Sequence, residues 1–234
     1  MAARGCFVTG TDTGAGKTIL AAALCAAIRA SGERVAAFKP VVTGVDEAPR
    51  ASARIAWPAD HELLARVTGA RPQDVTTRTF TPAVSPHLAA RLTGTTISLD
   101  ALVAAARAAA RDADVLVVEG VGGLLVPLSD EHDIRDLAVA LGLPVVIAAR
   151  PGLGTINHSL LTIEAARAAG LDVRAVVLTP WPQQPTTMER SNRDTIARRG
   201  GVEVSTLRPA TGLDDLADAG SPLPWAHWVG GGSI

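Results

Sequence analysis

From Phe7 to Thr18 the chain reads as an apolar strand, a turn rich in glycine, and the start of an Ala/Leu-rich helix. Few sequences constrain a fold more tightly. Small residues let the backbone curl until successive N–H groups face inward at a polyphosphate, and the following helix aims its positive end at the same spot. Lys17 supplies a point charge for the outer phosphates, and the Thr18 hydroxyl is placed to ligate Mg²⁺. Counting back from Lys17 puts Thr11 where the first glycine of the strict pattern belongs, with Gly10 one place earlier, so the loop is one residue longer.

The rest of the chain agrees with an open α/β sheet. Strand-like runs alternate with helical periodicity, which predicts a mostly parallel sheet with helices on both faces in a single P-loop NTPase-like domain over residues 1–234. Strands are predicted at 5–9, 34–38, 115–118, 144–148, 173–178 and 202–207. Helices are predicted at 17–30, 60–67, 88–92, 102–111, 134–141, 152–169 and 188–199. Ser85 is read as the cap of the helix that Pro86 opens, and Ser98 or Asp100 as the cap of the next. The ordered core is expected over about 5–220, and the Pro/Gly-rich tail 221–234 carries no clear element.

Composition excludes several classes. A formal charge of −1 over 234 residues gives no field for nucleic acid or an anionic membrane, and small-molecule partners are expected. No apolar run is long enough for a membrane span, and no signal peptide is expected, since residues 1–5 lack its apolar segment. Cys6 and Cys25 have neither disulfide nor zinc spacing, which fits a reducing, cytoplasmic setting. Of 22 basic residues only Lys17 and Lys39 are lysine. A site that needs a compact ammonium accounts for Lys39 as well as Lys17; a stray lysine at a strand end is the alternative. Pro40 holds Lys39 extended at the carboxyl edge of the sheet, where ligands bind in this architecture. Glu119 ends a buried strand against Gly120-Val121-Gly122-Gly123, well placed to bind Mg²⁺ or else to cap a helix or face solvent.

Three stretches carry a family resemblance: Val8 to Thr18, then Lys39-Pro40-Val41-Val42-Thr43-Gly44, then Val118 to Gly123. Together with Ser85-Pro86-His87 and Gly154-Thr155-Ile156-Asn157-His158, they make the chain resemble the dethiobiotin synthetases from about residue 5 to 178. The resemblance implies ATP- and Mg²⁺-dependent closure of diaminopelargonic acid with CO₂ to dethiobiotin, through a carbamate and a mixed carbamic-phosphoric anhydride. It implies catalytic roles for Lys39 and Lys17 and metal ligation by Thr18, Asp60 and Glu119, with Asp46 as a rival for the Asp60 position. Nucleotide contacts are implied at Thr13, Gly14, Ala15, Gly16, Lys17, Thr18 and Ile19, and at Asp60, Glu119, Gly120, Val121, Gly122, Thr179 and Pro180. Substrate contacts are implied at Thr11, Thr43, Gly154, Thr155 and Asn157, the last three lent by the partner subunit of a homodimer. Thr155 and Asn157 can equally be plain capping residues. His87 and His158 are read as structural.

One departure concerns the base. Where the family commonly places an Asn-Asp pair that reads adenine, this chain has Thr179 and Pro180. Proline has no N–H, and threonine lacks the paired donor and acceptor of a carboxamide, so other nucleoside triphosphates are expected to compete with ATP. The main alternative reading is a deviant P-loop ATPase switch of the partitioning type. Such switches carry a second lysine five places before the first, and here that place holds Asp12.

Overall fold

The structure, a computed structural model, describes residues 4–45 and 57–231. Asp46 lies outside them. In chain order the elements are β1 (Arg4–Gly10), α1 (Lys17–Ala30), β2 (Val35–Phe38), β3 (Val42–Thr43), α2 (Asp60–Thr68), α3 (Pro72–Val75), β4 (Thr79–Phe80), α4 (Pro86–Leu92) and α5 (Leu99–Ala110). There follow β5 (Val115–Glu119), α6 (Ile134–Leu141), β6 (Val145–Ala149), α7 (Thr155–Ala168), β7 (Val173–Leu178), α8 (Thr187–Gly200), β8 (Glu203–Thr206), α9 (Leu216–Gly220), α10 (Trp225–Trp228) and β9 (Gly230–Gly231).

The main sheet runs β2-β5-β1-β6-β7-β8, all parallel. Its strands β5, β6 and the end of β1 are buried on both faces, which is why they read as continuous apolar runs and not as alternating ones. Alternate residues of β1 feed two separate cores. Phe7 packs with α5 and α6 residues such as Ala106, Ile134 and Leu137. Cys6 and Val8 pack on the other face with α1 residues such as Leu20, Leu24 and Ile28. The strand order turns at β1, so the crevice over the carboxyl ends of β1, β2 and β5 is the topological place for a ligand.

The predicted strands and longer helices stand within a residue or two of their expected bounds, apart from helix starts at Leu99 and Thr155. Three features were not legible. Val42–Thr43 and Thr79–Phe80 form a separate two-stranded parallel pair, too short to leave a periodic pattern. Ser85 holds the N-cap position of α4 with its carbonyl accepting from the Ala89 N–H, but its side chain makes no capping hydrogen bond; the hydroxyl pairs with His87 Nδ1 at 3.0 Å, and Pro86 opens the helix. The end of the chain is built in as far as residue 231: α9 lies on α1, Trp228 is buried, and β9 pairs antiparallel with Arg4 and Gly5. A Cβ at Gly220 would come within 2.3 Å of the Ala23 carbonyl oxygen, so only glycine permits this approach. Ser98 is the residue that caps α5, accepting from the Ala101 N–H.

Candidate active site

The loop between β1 and α1 is shaped by two glycines in the left-handed region, Gly14 at φ 74° and Gly16 at φ 92°. Gly16 also sits directly on Thr179, whose Cγ2 would be 2.6 Å from any Cβ placed there. The loop is stitched from within: the Thr13 N–H donates to Asp12 Oδ1 at 2.7 Å, and Lys17 Nζ donates to the Asp12 carbonyl at 2.9 Å. Lys17 is buried, and that burial pulls its pKa down to about 8 against the opposing pull of Glu119.

Parallel register places the second lysine. Because Phe38 lies beside Val118, the next residues, Lys39 and Glu119, emerge together at the sheet edge. Lys39 Nζ is 2.6 Å from Glu119 Oε1 and 2.6 Å from Oδ2 of Asp60, the first residue of α2. The Thr18 hydroxyl donates to the same Glu119 Oε1 at 2.7 Å. Burial pulls the Lys39 pKa down, but the two carboxylates outweigh it and hold the ammonium charged well above the ordinary range. Burial raises the Glu119 pKa, with Lys39 opposing; at the half-exposed Asp60 the lysine wins and the pKa falls.

Glu119 Oε2 is buried and has no hydrogen-bond partner among the described residues. An orphaned carboxylate oxygen beside a second carboxylate and a threonine hydroxyl is a donor set that fits Mg²⁺, which takes one or two carboxylates and keeps several waters. Thr18, Asp60 and Glu119 are therefore brought together, and the carboxylate charge that Lys39 satisfies here is the charge a divalent cation would share.

These groups line one cavity of about 770 Å³ together with Thr13, Gly14, Gly16, Lys17, Ile19, Thr43, Val121 and Gly122. Other expected residues stand outside that lining. Ala15 is fully buried, its N–H facing the Asp12 carbonyl at 3.4 Å, and Gly120 is a packing glycine pressed against Phe7 and Ile134. Thr11 anchors the loop to β6 through its N–H on Ala148. Thr179 is buried beneath Gly16 with its N–H donated to the Ala149 carbonyl, while Pro180 is exposed. Gly154 and Asn157 are exposed and Thr155 is buried, its hydroxyl 3.5 Å from Ser159 Oγ.

Several contributors escape sequence reasoning. Trp57, Pro58, Ala83 and Val84 wall the cavity from loops without periodicity. Arg150, just past β6, donates to two carbonyls of the glycine-rich loop. Asn192, buried on α8, donates to the Pro151 and Gly152 carbonyls. Only the position of Arg150 at the carboxyl end of a buried strand could have marked it.

Known proteins match this chain over most of its length. A family model described as an AAA domain matches residues 4–207. Proteins named ATP-dependent dethiobiotin synthetase BioD are similar to it. The one from Anaeromyxobacter sp. (strain Fw109-5) is 45% identical over 202 residues, 86% of this chain and 87% of the relative. The one from Rhodococcus erythropolis (strain PR4) is 40% identical over 206 residues, 87% of each chain. The one from Bacillus licheniformis is 35% identical over 228 residues, 97% of this chain and 92% of the relative.

Proposed function

This chain belongs to the ATP-dependent dethiobiotin synthetase family and is an enzyme of that kind, and from that premise we propose how its own residues run the reaction. The substrates are diaminopelargonic acid, CO₂ and a nucleoside triphosphate. One amine adds to CO₂ and loses a proton, giving a carbamate. A carbamate oxygen attacks the γ-phosphorus and the nucleoside diphosphate leaves. The second amine then attacks the carbamoyl carbon and loses a proton, phosphate departs, and the cyclic urea closes.

Each step brings anions together, so the work is positioning and charge neutralisation. Lys17 serves the polyphosphate from inside the loop. Lys39 reaches the same cavity from the end of β2, and the two carboxylates keep it an ammonium, able to hold carbamate and transferring phosphoryl oxygens at once. Thr18, Asp60 and Glu119 would hold Mg²⁺, which neutralises charge on the outer phosphates when bound. Thr43 offers a hydroxyl to the diamine from β3. We assign Gly154, Thr155 and Asn157 to a neighbouring subunit's site in a homodimer; the exposure of Gly154, Asn157 and Leu153 supports that reading. The free, buried Cys6 and Cys25 support a cytoplasmic location. Among the described residues no helix is long and apolar enough to cross a membrane.

The observation that carries the proposal is the convergence of the chain's two lysines, both buried, on one cavity with two carboxylates. Incubation with diaminopelargonic acid, bicarbonate and Mg²⁺-ATP tests it by mass detection of the cyclic urea. Triphosphate hydrolysis that ignores the diamine and yields no urea would point to the ATPase switch instead.

A further inference from the structure

Arg150 lies outside the cavity just described, yet its guanidinium grips the glycine-rich loop from behind. Nε donates to the Gly14 carbonyl at 3.1 Å and Nη2 to the Thr13 carbonyl at 3.0 Å. Nη2 would also stand 3.3 Å from a Cβ at Gly14, so the fork fits against a bare backbone.

A trans peptide points its C=O and N–H in opposite directions. Holding the Thr13 and Gly14 carbonyls therefore fixes the N–H groups of Gly14 and Ala15, which must point away from Arg150. The Ala15 N–H does face the loop interior, 3.4 Å from the same Asp12 carbonyl that receives Lys17 Nζ. The arginine is itself held. Thr11 and Thr179 donate to the Ala148 and Ala149 carbonyls just before it, and Asn192 Nδ2 donates to Pro151 and Gly152 just after it, at 2.9 and 3.3 Å.

We propose that Arg150 is a positioning residue for the phosphate loop, setting its N–H groups for polyphosphate through the Thr13 and Gly14 carbonyls. The inference rests on reading that loop as the triphosphate site. A planar fork that meets two carbonyls cannot be reproduced by a single ammonium, so the charge alone is not enough. No contact with the diamine or with the reacting phosphoryl group is involved. Both ATP and ADP depend on the same loop and lose affinity together.

The test compares wild type, Arg150→Gln and Arg150→Lys by titration with Mg²⁺-ATP and Mg²⁺-ADP and by steady-state kinetics. Unliganded melting temperatures serve as the fold control. Both variants should melt like wild type and bind each nucleotide about tenfold more weakly, the scale of one charge-assisted hydrogen bond. The KM for triphosphate should rise in step, while kcat and the KM for diamine hold. Unchanged nucleotide affinity in Arg150→Gln would overturn the proposal. So would a loss confined to ATP, which would mean direct contact with the γ-phosphate, or full function in Arg150→Lys, which would mean charge alone. A fall in kcat at unchanged affinity would overturn it too. Wild type that binds neither nucleotide would instead sink the reading of the loop itself.

Discussion

Lys39 and Glu119, eighty residues apart in sequence, meet at 2.6 Å because parallel register carries their strands to the sheet edge in step. Asp60 closes the same ammonium from a third element. The lysine is thus held charged in a place where burial opposes the charge, and most predictions turn on that arrangement.

Lys39→Ala should lower turnover by roughly 100-fold or more, the scale of removing one preorganised charge at a reacting oxyanion. Nucleotide affinity should stay near wild type, since Lys17 and the loop remain. Lys39→Arg should also fail, because a planar guanidinium does not fit between two carboxylates that each sit 2.6 Å from one nitrogen. Urea formation followed by mass, beside nucleotide titration, checks both. Wild-type turnover by the arginine variant would show the role misplaced.

Glu119→Gln tests the cation site. The carboxylate is fully buried with one oxygen lacking a partner among the described residues, so the amide removes the charge without changing the shape. The Mg²⁺ concentration that half-saturates turnover should rise by at least roughly tenfold, the scale that even outer-shell changes reach. An unchanged Mg²⁺ requirement would remove Glu119 from the ligand set.

Lys17 gives a pH dependence. In the unliganded protein burial brings its pKa down to about 8, and bound phosphate favours the charged form. Below that pH the ammonium is present before and after binding, so affinity is flat. Above it, binding must take up a proton, and nucleotide affinity should fall by up to about tenfold per pH unit. Calorimetry in buffers of different ionisation heat at pH 9 should record that uptake. Flat affinity through pH 9.5 would contradict it.

A triphosphate panel tests base reading. The Thr179 methyl packs under Gly16, the Thr179 backbone N–H is spent on Ala149, the Trp181 backbone N–H is spent on Leu207, and Pro180 has none. With no free backbone N–H at residues 179–181, kcat/KM values should fall within roughly 100-fold of one another, against the 10⁴ or more of a site built to hydrogen-bond one partner. Strict ATP preference would show that another segment reads the base.

The tail offers a stability test. Trp228 is 1% exposed, so Trp228→Ala should cost about 3–5 kcal/mol in urea unfolding. Trp228→Phe should cost less, because it keeps a ring and removes a buried N–H that has no partner among the described residues. Equal losses would mean that the indole N–H is satisfied in solution.

Much of this could be read locally. The glycines of the phosphate loop, the buried runs of β5 and β6, and the near-absence of lysine each mark a place by residue type alone. The wall from Trp57 to Pro58, the short pair of β3 and β4, and the docking of Trp228 left no such mark, since each depends on what another segment presents.

The sequence by itself determined the phosphate loop, the parallel α/β class and the two lysines to watch, because backbone freedom, strand periodicity and side-chain charge belong to single residues and their neighbours. Only the tertiary structure decided that Lys39 lies between Asp60 and Glu119, that Thr179 packs beneath Gly16, and that Arg150 reaches 136 residues back to Gly14. Strand order and register are long-range properties. They turn residues far apart in the chain into neighbours, and no local pattern records which ones.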